Sequence, residues 1–215
     1  MATSSTALAQ NATGRHPILA TVLLGVAALA TWFIARNLLR YVTLDREVFG
    51  PYFWPRRYGL LLHLSGGLLA LAIGIAQLWL GATGRTHGVH RRLGLVYMFG
   101  VAVAAGGAIY LALTIPPPGW IYALGLVVLA GAWILTTSLA YLAIRRRNQE
   151  QHREWMIRSY VVTFAFVTFR MFHDALAAFG VGTELDRLTA SAWVCWSVPL
   201  LLAEPLVQWR KLASR

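Results

Sequence analysis

The sequence predicts an all-α fold: a polytopic membrane protein with six transmembrane helices in one bundle, forming a single domain. Three observations predict it. Hydrophobic residues make up 58% of the 215, and charged residues only 13%, against about 25% charged in ordinary soluble domains. Apolar runs recur along the chain, each long enough at about 18 residues or more to cross a hydrocarbon core about 30 Å thick. Between them lie short polar, Pro/Gly-rich or Arg-rich links, and no soluble core needs several such runs.

Residues 1–16 are small and polar and are expected to form a disordered cytoplasmic tail. The first span, 17–35, exceeds a signal-peptide core of about 7–15 residues, so an uncleaved helix is expected. Residues 36–58 mix six aromatic residues with five Arg, the composition of an interfacial belt. Gly50-Pro51 and Pro55 bar one long helix there. That segment reads either as a short amphipathic piece on the bilayer or as a lid over a site near His63. The second span, 59–80, and the third, 93–114, flank a polar link carrying His87 and His90. Pro116-Pro117-Pro118-Gly119 is a stiff turn, because proline fixes its own φ and cannot continue a helix. The fourth span is 120–144, a charged loop RRRNQEQHR follows, and the fifth and sixth spans are 155–177 and 188–209. Residues 210–215 form a second cytoplasmic tail.

Six spans bring both ends to one side. Of the 19 Lys and Arg residues, twelve fall on the side holding 85–92, 145–158 and the termini, six on the other, and Arg170 lies within a span. The positive-inside rule then places both termini in the cytoplasm of a multi-pass cell-membrane protein. The net charge of +11 is accounted for by loops beside anionic headgroups, so the lipid bilayer is the expected partner and nucleic acid is not. The lone cysteine, Cys195, excludes a disulfide framework and reads as a small core residue.

The candidate chemistry rests on histidine. His63, about one turn inside the second span, and His173, about one turn from the end of the fifth, share a depth at about 1.5 Å per residue. Two neutral imidazoles from facing helices, beside the small Gly66-Gly67 pair, suit axial ligation of haem iron. On the other face lie His87, His90 and His152, a three-imidazole set for a metal such as zinc or iron. Arg170 and Asp174, four apart on one helix face, read as an intrahelical ion pair or as a charge that orients a substrate or cofactor. Arg158 and Glu204 lie at similar depth and are expected to pair across helices. Gln77 reads as interhelical glue, and Gly106-Gly107 as helix packing. Phosphate-binding glycine loops, nucleophile elbows and dinucleotide fingerprints are absent.

Three segments together, HLSGGLLALAIGIAQ from His63, HRRLGLVY from His90 and HREWMIRSYVVTFAFVTFR from His152, resemble a large bacterial family of integral-membrane proteins filed as a domain of unknown function. Its pattern is His-x-x-Gly-Gly, His-Arg-x-x-Gly-x-x-Tyr and His-x-x-Trp-Met-x-Arg-Ser. The matching residues are His63, Gly66, Gly67, His90, Arg91, Gly94, Tyr97, His152, Trp155, Met156, Arg158, Ser159 and Arg170; His173 lies outside the pattern. The resemblance implies membership without a settled activity, and shifts weight towards His90 and His152. The leading expectation is a membrane redox protein holding haem b or a metal through imidazoles, with His63, His90, His152 and His173 as ligands and Arg170 as anchor. It would exchange electrons with a donor or oxidise a lipophilic substrate. A small-solute or proton carrier, and a structural or assembly protein without cofactor, are the alternatives.

Overall fold

The computed structural model describes residues 3–83, 87–115 and 119–213. Among them the secondary structure is helical throughout, with α1 (Thr3–Phe33), α2 (Arg46–Phe53), α3 (Arg57–Thr83), α4 (His87–Thr114), α5 (Trp120–Arg145), α6 (Gln149–Thr163), α7 (Ala165–Ala178) and α8 (Glu184–Ala213). Five segments are long and apolar enough to cross a membrane: Leu19–Thr43, Arg46–Thr83, His87–Thr114, Trp120–Arg145 and Glu184–Trp209. Helices α6 and α7, bent by 42° where they join, make a sixth when counted as one span. Leu24, Leu113, Leu201 and Leu202 point outward and are largely exposed, as side chains facing lipid must be.

Several helices run further than hydropathy suggests. Helix α1 begins at Thr3 and passes through Pro17, so the stretch expected as a disordered tail is helical from Thr3 on. Its alanine content favours helix. Helix α4 starts at His87, and α6 at Gln149 behind an Asn148 cap whose side chain accepts from Gln151 N at 3.0 Å. His90 and His152 therefore sit in first helical turns rather than in loops.

The fifth span is broken, not continuous. Neither proline nor glycine stands at the break. The β-branched run Val161-Val162-Thr163 precedes it. Thr163 Oγ1 donates to Ser159 O at 2.9 Å, the back-bonding that bends helices. Just beyond, Val167 N bonds Phe164 O only three residues back.

Residues 34–58 continue α1 as a π-helical turn (Ile34–Leu38) and a 3-10 turn (Leu39–Thr43) before α2. Gly50 adopts φ +66° and ψ 179° inside α2, a conformation open essentially only to glycine. The segment packs on the start of α3 and the end of α4. Phe49 is buried against Leu60 and Leu111, and Arg56 donates to Thr114 O and Thr114 Oγ1.

Helices α3, α4, α5 and α6 close a ring in which each packs on the next, α3 against α4 most extensively. The small residues explain this close approach. A Cβ on Gly66 would stand 2.7 Å from Ala104 N and Gly100 O, and one on Gly107 2.8 Å from His63 N. A Cβ on Gly106 would meet nothing within 4 Å. Cys195 is fully buried and free.

Candidate functional site

Helices α4 and α6 face each other across the diagonal of the ring and run parallel. Both carry functional groups at the same seven-residue step: His90 and Tyr97 on α4, His152 and Ser159 on α6. At about 1.5 Å per residue, the second contact lies about 10 Å beneath the first. The upper layer is a pair of imidazoles, and the lower is a knot of hydroxyls.

In the upper layer, the His90 and His152 rings lie 6.3 Å apart, centre to centre, at 84°. His152 Nδ1 is 2.9 Å from Ala140 O. A carbonyl only accepts, so Nδ1 carries a proton and donates it. His90 Nδ1 is buried with no hydrogen-bond partner. The backbone around His90 is held by Gln77, which is buried in α3 and donates to His90 O at 2.8 Å. That bond realises the interhelical role expected of Gln77. Glycines border the pair: a Cβ on Gly81 would reach His90 Cε1 at 3.4 Å, and one on Gly94 would meet only the Gln77 amide at 3.9 Å.

In the lower layer, Tyr97 OH lies 2.8 Å from Ser159 Oγ and 2.7 Å from Thr163 Oγ1. Trp133 Nε1 donates to Thr163 Oγ1 at 2.9 Å, and Thr137 Oγ1 lies 2.7 Å from Ser159 Oγ. Tyr97, Ser159 and Thr163 are fully buried. Tyr160 OH donates to Leu71 O at 3.1 Å, tying α6 to α3.

His63 stands apart from the pair. Its Nδ1 donates to Ala104 O at 2.9 Å, and its ring stacks on Phe166 at 4.7 Å and 17°. Phe166 in turn meets Trp133 edge-on at 5.5 Å. Gly66 is filled by the α4 backbone, and a Cβ on Gly67 would strike the Phe166 ring at 2.5 Å. The glycine pair thus accommodates protein rather than a flat cofactor. His173 faces other partners: Nε2 is 2.9 Å from Glu184 Oε1 and Nδ1 is 3.4 Å from Asp174 Oδ1. The structure therefore does not assemble His63 with His173; their matched depth carries no shared direction.

His87 is exposed at the start of α4. Among the described residues no three His, Cys, Asp or Glu side chains converge to hold a metal, so His87 does not complete a site with His90 and His152. Arg170 is half-buried in α7 and, among the described residues, forms no ion pair with Asp174, which has turned to His173. Arg158 and Glu204 do pair: Nε to Oε2 at 2.9 Å and Nη2 to Oε1 at 2.7 Å, with Glu154 3.6 Å away.

The sequence profile of a family described as a predicted membrane protein, DUF2306, matches residues 60–207. The chain belongs to that family. The DUF2306 region opens at Leu60, just before His63, and takes in α3 to α7 and most of α8. Both layers of the site lie inside it, and α1 and α2 lie outside. No curated protein and no solved structure matches the chain. Within the DUF2306 region, sequence reasoning finds the imidazoles but misses Trp133, Thr137 and Thr163 as members of a site. The one signal was the step of four separating Trp133 from Thr137 and Ser159 from Thr163 in two apolar spans.

Proposed function

We propose that this integral-membrane protein is a redox protein that holds haem b between His90 and His152. The observation that carries the reading is the 6.3 Å separation of two imidazoles presented from opposite helices of the ring. His90 and His152 would be the residues that hold the haem iron, which imidazoles ligate. His152 already has the form of a ligand, with one nitrogen fixed by a backbone carbonyl. The unpartnered buried nitrogen of His90 and the glycines beside it suit a group not made of protein.

Haem b there would supply one-electron transfer. The chain contributes two neutral imidazoles, an apolar surround and a rigid hydroxyl layer that keeps α4 and α6 in register. Electrons would be exchanged with a donor or a lipophilic substrate at the same end of the bundle.

The test is an absorption spectrum of detergent-purified protein expressed with haem available, oxidised and then dithionite-reduced. A Soret band that shifts on reduction, with sharp α and β bands, is expected. His90→Ala and His152→Ala should each lose it, while His63→Ala and His173→Ala should keep it. A featureless spectrum from folded protein would sink the reading and leave the histidines to proton or solute carriage, or to hydrogen bonding alone.

A further inference from the structure

Arg170, expected from sequence to anchor the cofactor, makes no hydrogen bond or ring contact with His90 or His152 among the described residues, and the function proposed above does not use it. It lies in the α6–α7 span, half-buried, and its guanidinium has neither a hydrogen bond nor an ion pair among the described residues. Two other arginines of the helical bundle are engaged by acids: Arg158 by Glu204 and Glu154, and Arg187 by Glu184, with the carbonyl of Gly182 as a further acceptor. The one acid on its own helix face, Asp174, is drawn to His173 at 3.4 Å. A planar cation with five donors, held in a membrane span without a counter-charge, marks a place where an anion belongs.

We infer that Arg170 binds the anionic headgroup of an amphiphile: a phosphate or carboxylate carried on an apolar tail. Tyr122, near the start of α5, lies within electrostatic range of Arg170, and its phenol also has no hydrogen-bond partner among the described residues. A guanidinium fork and a phenol together present the donors that a tetrahedral or planar oxyanion accepts. The level suits a headgroup. Arg170 lies eight residues before Ala178 at the end of α7, about 12 Å along the axis, a distance a long side chain and a headgroup would have to share. The way in is lateral: Met171, the next residue, is 41% exposed on the lipid-facing surface. A ligand arriving by that route needs an apolar tail.

The test uses the whole protein in a neutral detergent, with dioleoyl phosphatidate, oleate, and zwitterionic dioleoyl phosphatidylcholine as probes. Thermal unfolding and native mass spectrometry are read together. Phosphatidate or oleate is expected to raise the unfolding midpoint of the wild type by several degrees and to remain bound; phosphatidylcholine is not. Response to phosphatidate alone assigns the site to a lipid phosphate, and response to oleate alone to a free lipophilic acid. Arg170→Gln should abolish the response and, without probe, melt no lower than the wild type, because an uncompensated charge has been removed. Asp174→Asn should respond as the wild type does. The inference falls if neither anion shifts the wild type, or if Arg170→Gln responds unchanged. Should that variant not fold, Arg170→Lys and Tyr122→Phe decide: at least tenfold weaker binding in the lysine variant is expected, and wild-type binding in both overturns the site. None of these readouts depends on haem.

Discussion

Removing the Tyr97 hydroxyl tests whether the lower layer holds α4 to α6. Its protons can be counted. Thr163 spends its hydroxyl proton on Ser159 O at 2.9 Å. Tyr97 must then be the donor in its 2.7 Å contact with Thr163. Ser159 is left to supply its 2.8 Å contact with Tyr97, and Thr137 divides its proton between Ser159 Oγ at 2.7 Å and Trp133 O at 2.8 Å. Tyr97→Phe therefore deletes a donor and an acceptor together, and leaves two hydroxyls short of partners where no water competes. Interhelical hydrogen bonds in membranes contribute about 0.6 kcal/mol on average and up to about 1.7, so two of them set a loss of about 1–3 kcal/mol. The assay is reversible unfolding in mixed micelles by denaturing detergent, followed by helical circular dichroism. A cycle with Ser159→Ala should show a coupling of about 0.6–1.7 kcal/mol. Wild-type stability in Tyr97→Phe, or strict additivity with Ser159→Ala, would refute the accounting.

Other substitutions probe the rest of the frame. Gly66→Ala should cost about 1–3 kcal/mol, because its new carbon meets backbone atoms of α4 at 2.7 Å; Gly106→Ala, with nothing within 4 Å, should be neutral or gain up to about 1 kcal/mol, both read in the same unfolding assay. Arg158→Met should destabilise by about 1–2 kcal/mol, well short of a fully buried pair, since Glu204 is 43% exposed and solvent screens what is lost. Glu204→Gln, which keeps an acceptor for the guanidinium, should cost less, and the reverse order would show that the pair is not what matters there. His63→Ala removes the stacking partner of Phe166 and the bond to Ala104 O; about 1–2 kcal/mol of stability should go while the haem spectrum stays unchanged.

The apolar runs made the bundle legible because hydropathy reports what lipid touches. It does not report where the backbone ladder stops, so the turns carrying His87, His90 and His152 looked like loops although their hydrogen bonds are helical. The break at Phe164 had no proline or glycine to announce it; the hydroxyl of Thr163, competing for Ser159 O, is a bend signal that unbroken turns also carry. Glycine spacing was legible in kind but not one by one: Gly107 packs against α3 and a Cβ on Gly106 would meet nothing within 4 Å, because two adjacent helical residues point about 100° apart.

Azimuth also decided the site. His63 and His173 match in depth, yet one is stacked on Phe166 and the other is held by Glu184. Arg170 and Asp174 match in spacing, yet His173 competes for the acid. His90 and His152 come together because α4 and α6 run parallel on opposite sides of one ring, where a shared step of seven brings a second pair, Tyr97 and Ser159, into contact below them. That second contact gives the first its meaning. Two imidazoles meeting at a helix end are free to drift apart, but a buried hydroxyl contact two turns deeper fixes both the distance and the register of the helices that carry them. Under the haem reading proposed above, such a brace would hold His90 and His152 in place together, so loosening the lower layer should weaken haem retention without altering either histidine. Tyr97→Phe should then release haem to apomyoglobin faster than the wild type while its spectrum at full occupancy stays the same; equal release rates would separate the brace from the site.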